Sequence, residues 1–238
     1  LKTLSQIKAG HTVLEIGCGV GGTAIYLAEE AGCQVIGVDL SPGMVARSTE
    51  RVQRRGLTNQ IRFLVADAQD LPFDDGTFDA VIDESVTAFV VDKARAVAEY
   101  VRVTKPGGHV GLNEVTWLKT PSSELVRYVS FIMGGAEFLK PDQWRSLLVE
   151  ANLQEVVTSI HEFNAREQFW EELHQLDWRE YLTAWVRFVS QAFTNPAFWQ
   201  FAQEVLSAPQ EILRFVEYTG YGIYVGRKAI NGSGETAA

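Results

Sequence analysis

"VLEIGCGVGGTAIYL", Val13–Leu27, is the stretch on which the reading of the chain turns. An apolar run, Val13 to Ile16, meets the glycines Gly17, Gly19, Gly21 and Gly22, and an apolar-periodic segment follows. A strand that turns abruptly into a helix, and lets a ligand approach its backbone, needs positions without a Cβ. The glycines fit two spacings. Gly17, Gly19 and Gly22 make G-x-G-x-x-G, and Gly17, Gly19 and Gly21 make G-x-G-x-G. The loop alone leaves its ligand open.

Around the loop, short β-branched runs alternate with helical patterns. Thr12 to Gly17 reads as a strand, Gly21 to Gly32 as a helix and Gln34 to Leu40 as a second strand. Ser41 to Gly56 opens on Ser-Pro and ends on glycine, the chemistry of a helix start and stop. Ile61 to Ala68 and Phe78 to Ser85 are further strands. Val91 to Gly108 is a helix stopped by Pro106-Gly107-Gly108, and His109 to Trp117 is a fifth strand. Alternation of this kind means βαβ units and a parallel, doubly wound α/β sheet covered on both faces. Ligands of such sheets lie beyond the carboxyl ends of the strands, so the glycine loop, Asp39, Asp67 and Glu84 fall along one edge. Beyond the fifth strand, Pro121 to Gly134 and Lys140 to Ala151 read as helices and Leu153 to Phe163 as a strand. Residues 165–218 read as a helical insertion before a last strand, Tyr221 to Ala229. The division expected is a core over residues 1–163, the insertion over 164–219, a return to the core over 220–230 and a disordered tail over 231–238.

Composition narrows the function classes. The chain has 238 residues and a formal net charge of -9. That balance argues against a nucleic-acid partner, because phosphate neutralisation needs Lys and Arg. No apolar run approaches the length of a membrane span. Cys18 and Cys33 define no disulfide framework, and with four scattered histidines they make no metal motif. A reducing, cytoplasmic setting is expected.

Three features narrow the ligand. A carboxylate at Asp39, about twenty residues past the loop, can accept both hydroxyls of a ribose, in NAD and in S-adenosylmethionine alike. Asp67 in "VADAQDLPF" can accept from an exocyclic amine, and the Ala68 N–H can donate to a ring nitrogen. "FDDGTFDAVIDES" and "VTKPGG" complete the series. Together, "VLEIGCGVGG", "VIGVDLSPGMV", "VADAQDLPFDDGTFDAVIDE" and "RVTKPGG" resemble the class I S-adenosylmethionine-dependent methyltransferases, most of all their small-molecule, type 11 branch. The resemblance covers roughly Leu4 to Val115. It implies a Rossmann-like, mostly parallel seven-stranded sheet with an antiparallel last strand. It also implies S-adenosylmethionine as cofactor and a small-molecule methyl acceptor. By that resemblance Gly17, Cys18 and Gly19 line the methionine end, Gly22 is a further cofactor-binding residue, and Glu15 supports the loop or the methionine amine. Asp39 takes the ribose hydroxyls, with Leu40 and Met44 near the adenine. Asp67 and Ala68 take the adenine edge, and Glu84 and Ser85 face the sulfonium.

Glu84 is the candidate general base, or an acceptor that orients the nucleophile. Asp83 beside it should point the other way, since successive strand residues alternate. Asn113 and Glu114 are expected to end the fifth strand, with one of them at the cleft. The insertion carries an apolar stripe, Trp178, Tyr181, Trp185, Phe188 and Ala192. It reads as a core face over the sheet or as a homodimer contact, and alternatively as a lid over a hydrophobic or cationic substrate. Two rival functions stay open at this point, a nicotinamide oxidoreductase and a non-catalytic S-adenosylmethionine-binding module.

Overall fold

In the computed structural model, residues 1–163, Trp199 and residues 207–230 are described. The first half alternates as the sequence predicts. β1 is Thr12–Ile16, α1 Gly22–Ala31, β2 Gln34–Asp39, α2 Pro42–Arg55, β3 Ile61–Val65 and β4 Phe78–Glu84. Then follow α3 Lys93–Val103, β5 Thr104–Trp117, α4 Ser123–Ile132, α5 Pro141–Glu150, β6 Leu153–Glu162 and β7 Thr219–Lys228. The seven strands form one sheet in the order β3-β2-β1-β4-β5-β7-β6. β1 pairs in parallel with β2 and β4, β2 with β3, and β4 with β5. The strand order turns outward in both directions between β1 and β4, and such a switch point opens a crevice at the strand ends. Along β7 the neighbours on β5 run backward: Val225 lies against Gly111, and Arg227 Nε donates to the Gly107 carbonyl. β7 is therefore antiparallel to β5, as the resemblance implies.

Each helix starts and stops for a local reason. α1 ends on Gly32 at φ 66°, whose N–H donates to the Ala28 carbonyl while the Cys33 N–H donates to that of Leu27. α2 starts under Ser41, whose hydroxyl accepts from the Met44 N–H, with proline in its first turn. One face of the sheet buries Val13, Val35, Ala80 and Ile82 against Ala24, Leu27 and Ala28 of α1 and Val52 of α2. Burial of this kind contributes roughly 1.5–3 kcal/mol per large aliphatic side chain. Tyr100 of α3 and Trp144 of α5 are fully buried as well.

The fifth strand begins earlier than the sequence suggests. α3 stops at Val103, and Pro106-Gly107-Gly108 lies inside β5. Thr104 pairs with Phe78 and His109 with Ala80, so β5 bulges between these pairs. Gly108 sits so close to the Asp79 carbonyl and Thr104 that a Cβ would collide with both. The Pro-Gly-Gly therefore marks a close approach of backbones within a strand. β5 also continues to Trp117, so Asn113 and Glu114 lie within it.

The chain divides into two compact units. The first takes Leu1–Thr116, Phe138–Ile160 and the described residues from Tyr221 on. The second takes Trp117–Glu137 and the described residues of His161–Gly220. The aromatic stripe of the insertion lies outside the described residues, as does the tail. Among the described residues, no helix is long and apolar enough to cross a membrane.

Candidate binding cleft at the strand ends

A cleft of about 330 Å³ opens at the carboxyl ends of β1 to β4, within the first unit. Gly17, Asp39, Leu40, Asp67, Ala68 and Ser85, all expected at the site, line it. Ile16, Val38, Ala66, Gln69, Val86, Phe89, Val90 and Val91 complete the lining. Volumes of this order suit a small ligand.

The backbone distinguishes the two glycine spacings. Gly17 (φ 62°), Gly19 (φ 50°) and Gly21 (φ 75°) all hold left-handed conformations. Gly21 is the N-cap of α1, and Gly22 is its first residue with ordinary dihedrals. The loop thus uses the shorter G-x-G-x-G spacing. Cys18 between the first two glycines is buried, its N–H donating to the Val38 carbonyl at 2.9 Å. Burial pushes its thiol up to about 12, so it acts as packing. It lies beneath the loop and does not line the cleft.

Residues in alternating left- and right-handed conformations turn their N–H groups inward, into a concavity suited to an anion. Here the anion is built in. Asp39 Oδ2 accepts from the Gly19 N–H at 2.9 Å, and Oδ1 accepts from the Ser41 N–H at 2.8 Å. Asp39 thereby ties the glycine loop to the start of α2 and keeps lone pairs free. Met44 lies one turn further, its N–H on Ser41.

The start of α1 is also lined with acid. The Thr23 hydroxyl donates to Glu84 Oε2 at 2.8 Å. Glu15 is buried beside it, and its Oε2 finds no hydrogen-bond partner. Burial, then the charge of Glu84, pushes its carboxyl up to about 8, against the Ala24 N–H and the Thr23 hydroxyl, which pull it down. The paired registers Glu15↔Ile82 and Glu84↔Asn113 place Glu15, Glu84 and Asn113 on one face of three adjacent strands. Asn113 Oδ1 is a second buried oxygen there without a donor.

Asp83 faces the other way, as alternation requires, and is completely buried. It accepts from the Val86 N–H at 3.0 Å, from the Thr87 N–H at 3.1 Å and from the Thr87 hydroxyl. Glu114 is buried on the same face, and its Oε1 accepts from the N–H groups of Val86 (3.1 Å) and Ala88 (3.2 Å). Burial and then the neighbouring Asp83 raise the Glu114 pKa, which favours its protonated form. The pair grips the backbone of 86–88, which continues into the cleft wall Phe89–Val91. Glu114 therefore shapes the cleft from below instead of entering it. Ser85, at the turn, adopts φ 60°, a conformation that costs a non-glycine residue on the order of 1 kcal/mol and concentrates at functional sites.

Gln69 was not anticipated by the sequence. It is one of several polar residues in "DAQDLPFDD", and nothing in its spacing separates it from its neighbours. In the structure it lines the cleft and bonds to both sides of it.

Residues 14–112 match the family described as methyltransferase domain. Tocopherol O-methyltransferase of Arabidopsis thaliana is 42% identical over 105 residues, which are 44% of this chain and 30% of that protein. Norajmaline N-methyltransferase of Rauvolfia serpentina is 34% identical over 140 residues, 59% of this chain and 44% of that protein. The chain thus spans less than half the length of these curated relatives. Among solved structures, the [4+2]-cyclase SpnF matches with a TM-score of 0.75 at 24% identity, over 97% of this chain and 78% of that one. Phosphoethanolamine N-methyltransferase 2 of Haemonchus contortus, solved with S-adenosyl-L-methionine, matches with 0.73 at 23% identity, over 96% and 51%. These likenesses show the shared Rossmann-like fold.

Proposed function

We propose that this chain, which over residues 14–112 belongs to the class I S-adenosylmethionine-dependent methyltransferases, binds S-adenosylmethionine and passes its methyl group to a small-molecule acceptor. One observation carries the choice of cofactor over a nicotinamide dinucleotide. The start of α1, where a dinucleotide would set its pyrophosphate, is ringed by Glu15, Asp39 and Glu84. Asp39 already takes the Gly19 N–H, and its charge would repel a phosphate at close range. A ligand with an ammonium and a sulfonium meets the opposite field.

The residues fit such a ligand. The unpartnered Glu15 Oε2 offers an acceptor for the ammonium of an amino-acid moiety. Gly19 is open on its Cα side, with no heavy atom where a Cβ would stand, so a ligand can lie on the backbone. Asp39 has lone pairs left for ribose hydroxyls, and Leu40 flanks it at the cleft. Asp67 and the Ala68 N–H lie on the next strand end for the adenine edge. When bound, S-adenosylmethionine supplies a methyl group already activated on sulfur. The chain's own task is then to align the acceptor, exclude water and, for a protonated nucleophile, accept its proton. Glu84 is our candidate for that last role. It is exposed at the end of β4, with one oxygen held by Thr23 and the other free.

Titration calorimetry with S-adenosylmethionine, S-adenosylhomocysteine and NAD tests the cofactor. Binding of both sulfur ligands without NAD supports the reading, and binding of NAD alone overturns it. Transfer of a labelled methyl group to candidate small molecules, lost in Glu84→Gln, tests the activity and the role of Glu84.

A further inference from the structure

We infer that Gln69 is a specificity-determining residue that aims Asp67 at a 6-aminopurine and sets the width of the slot for the base. The inference rests on the cofactor reading above and adds to it the means by which the base is chosen.

Asp67 itself is exposed two residues past the end of β3, where a single backbone N–H would leave one carboxylate oxygen unheld. Gln69 supplies the hold. Its backbone N–H donates to Asp67 Oδ1 at 2.8 Å. Its side-chain Nε2 lies across both carboxylate oxygens, at 3.2 and 3.4 Å. The amide is not free to turn over, because its Oε1 accepts from the Asp92 N–H at 3.1 Å. The nitrogen is thereby directed at Asp67. A carboxylate with donors fixed on one side keeps its remaining lone pairs on the other. Asp67 is held as an acceptor, which suits the exocyclic amine of adenine and opposes the carbonyl of a 6-oxopurine.

The same side chain spans two separate segments. Asp67 follows β3, whereas Asp92 caps α3, its carboxylate accepting from the Arg95 N–H at 2.9 Å. The Arg95 Nε returns to the Gln69 carbonyl at 2.8 Å. Phe89–Val91, the opposing wall of the cleft, runs directly into Asp92. Gln69 therefore fixes how far that wall stands from Ala68. A site built around a fixed acceptor rejects an analogue that cannot donate far more strongly than a loose one does, since the mismatched polar groups stay unpaired.

The test compares Gln69→Met and Gln69→Glu with the parent chain, using S-adenosylhomocysteine and its inosine counterpart as probes in calorimetry. Met removes both arms of the bridge. Glu keeps an acceptor for the Asp92 N–H and loses the donor to Asp67. The parent should prefer the adenosine ligand, and both variants should narrow that preference by about tenfold or more. A ratio within twofold of the parent's in a folded variant overturns the inference. Weakened binding of both ligands in equal measure also overturns it, because that is what a merely structural Gln69 would produce. If the parent binds neither nucleoside, the cofactor reading itself has failed, a result distinct from the other two.

Discussion

Replacing Glu15 by Gln should abolish the acid side of the pH dependence of cofactor affinity. Burial and the neighbouring Glu84 hold the Glu15 carboxyl near 8. The ammonium of a free amino acid keeps its proton to higher pH than a chain-terminal amine, which titrates at about 7.7–8.0. The favourable complex pairs an ionised Glu15 with a protonated amine, so the competent fraction is the product of the two. At pH 6.5 only about 3% of Glu15 is ionised, and at pH 8 about half. While the amine stays protonated, affinity should rise by roughly sixteenfold at most from pH 6.5 to 8, the ratio of the ionised fractions, and it should fall again at higher pH once the amine loses its proton. In Glu15→Gln the acid limb vanishes and only the alkaline limb, from the ligand, remains. Calorimetry with S-adenosylhomocysteine across that range measures both. A parent affinity that is flat from pH 6.5 to 8 refutes the reasoning, and so does a variant that keeps the acid limb. The same shift has a folding consequence. A carboxyl raised in the folded state contributes stability below its unfolded pKa, and that contribution is lost as pH rises through about 8. Thermal unfolding should therefore find Glu15→Gln more stable than the parent at pH 8.5.

Other perturbations follow from the same contacts. In Gly17→Ala, a new Cβ would overlap the Val86 side chain at φ 62°. The cost in chemical denaturation should be about 2–4 kcal/mol, and Val86→Ala should restore only part of it because the backbone strain remains. Glu114→Gln replaces a protonated carboxyl by its amide and should be nearly neutral at pH 6. The parent should lose stability relative to it as pH rises, since the Glu114 pKa is raised by burial and by Asp83. Glu114→Ala should cost about 1–3 kcal/mol, because the Ala88 N–H is left buried without its acceptor. Trp144→Ala should cost about 3–5 kcal/mol in denaturant unfolding, since the ring is fully buried against Tyr224, 6.3 Å between centroids, and Nε1 bonds the Val115 carbonyl at 3.3 Å.

The sequence displays its βαβ half because each turn there is marked by a residue with a local duty. Gly32, Ser41-Pro42 and Gly56 act where they stand, and β1, β2, α1 and α2 can be read from them to within a residue, whereas β3 stops at Val65, three residues before the expected end at Ala68. Pro106-Gly107-Gly108 misleads because glycine marks a close approach of backbones as readily as it marks a turn, and only the pairing of Thr104 with Phe78 tells the two apart. The choice between Gly21 and Gly22 rests on dihedral angles, which spacing cannot display. Asp83 and Glu114 lie diagonally across two strands, so their mutual influence is invisible until the register of β4 on β5 is known. The bridge made by Gln69 has the same character, because its second partner is the N–H of Asp92. That group belongs to the backbone and leaves no trace in the residue type.

The position of β7 has a consequence for synthesis. It lies between β5 and β6, although it is the last of these seven strands to leave the ribosome. Until residue 219 and those after it emerge, β6 has no place in the sheet and the long edge of β5 stays open. An open edge of this kind invites pairing with other chains. The end of β7 also brings Lys228, whose ammonium donates to the carbonyls of Val101 (2.7 Å), Arg102 (3.1 Å) and Thr104 (2.7 Å) where α3 gives way to β5. A nascent chain that already holds every cleft residue thus still lacks the strand that shields its sheet. During that interval the open edge of β5 is exposed to association, and a stop codon shortly before Thr219 should yield aggregate.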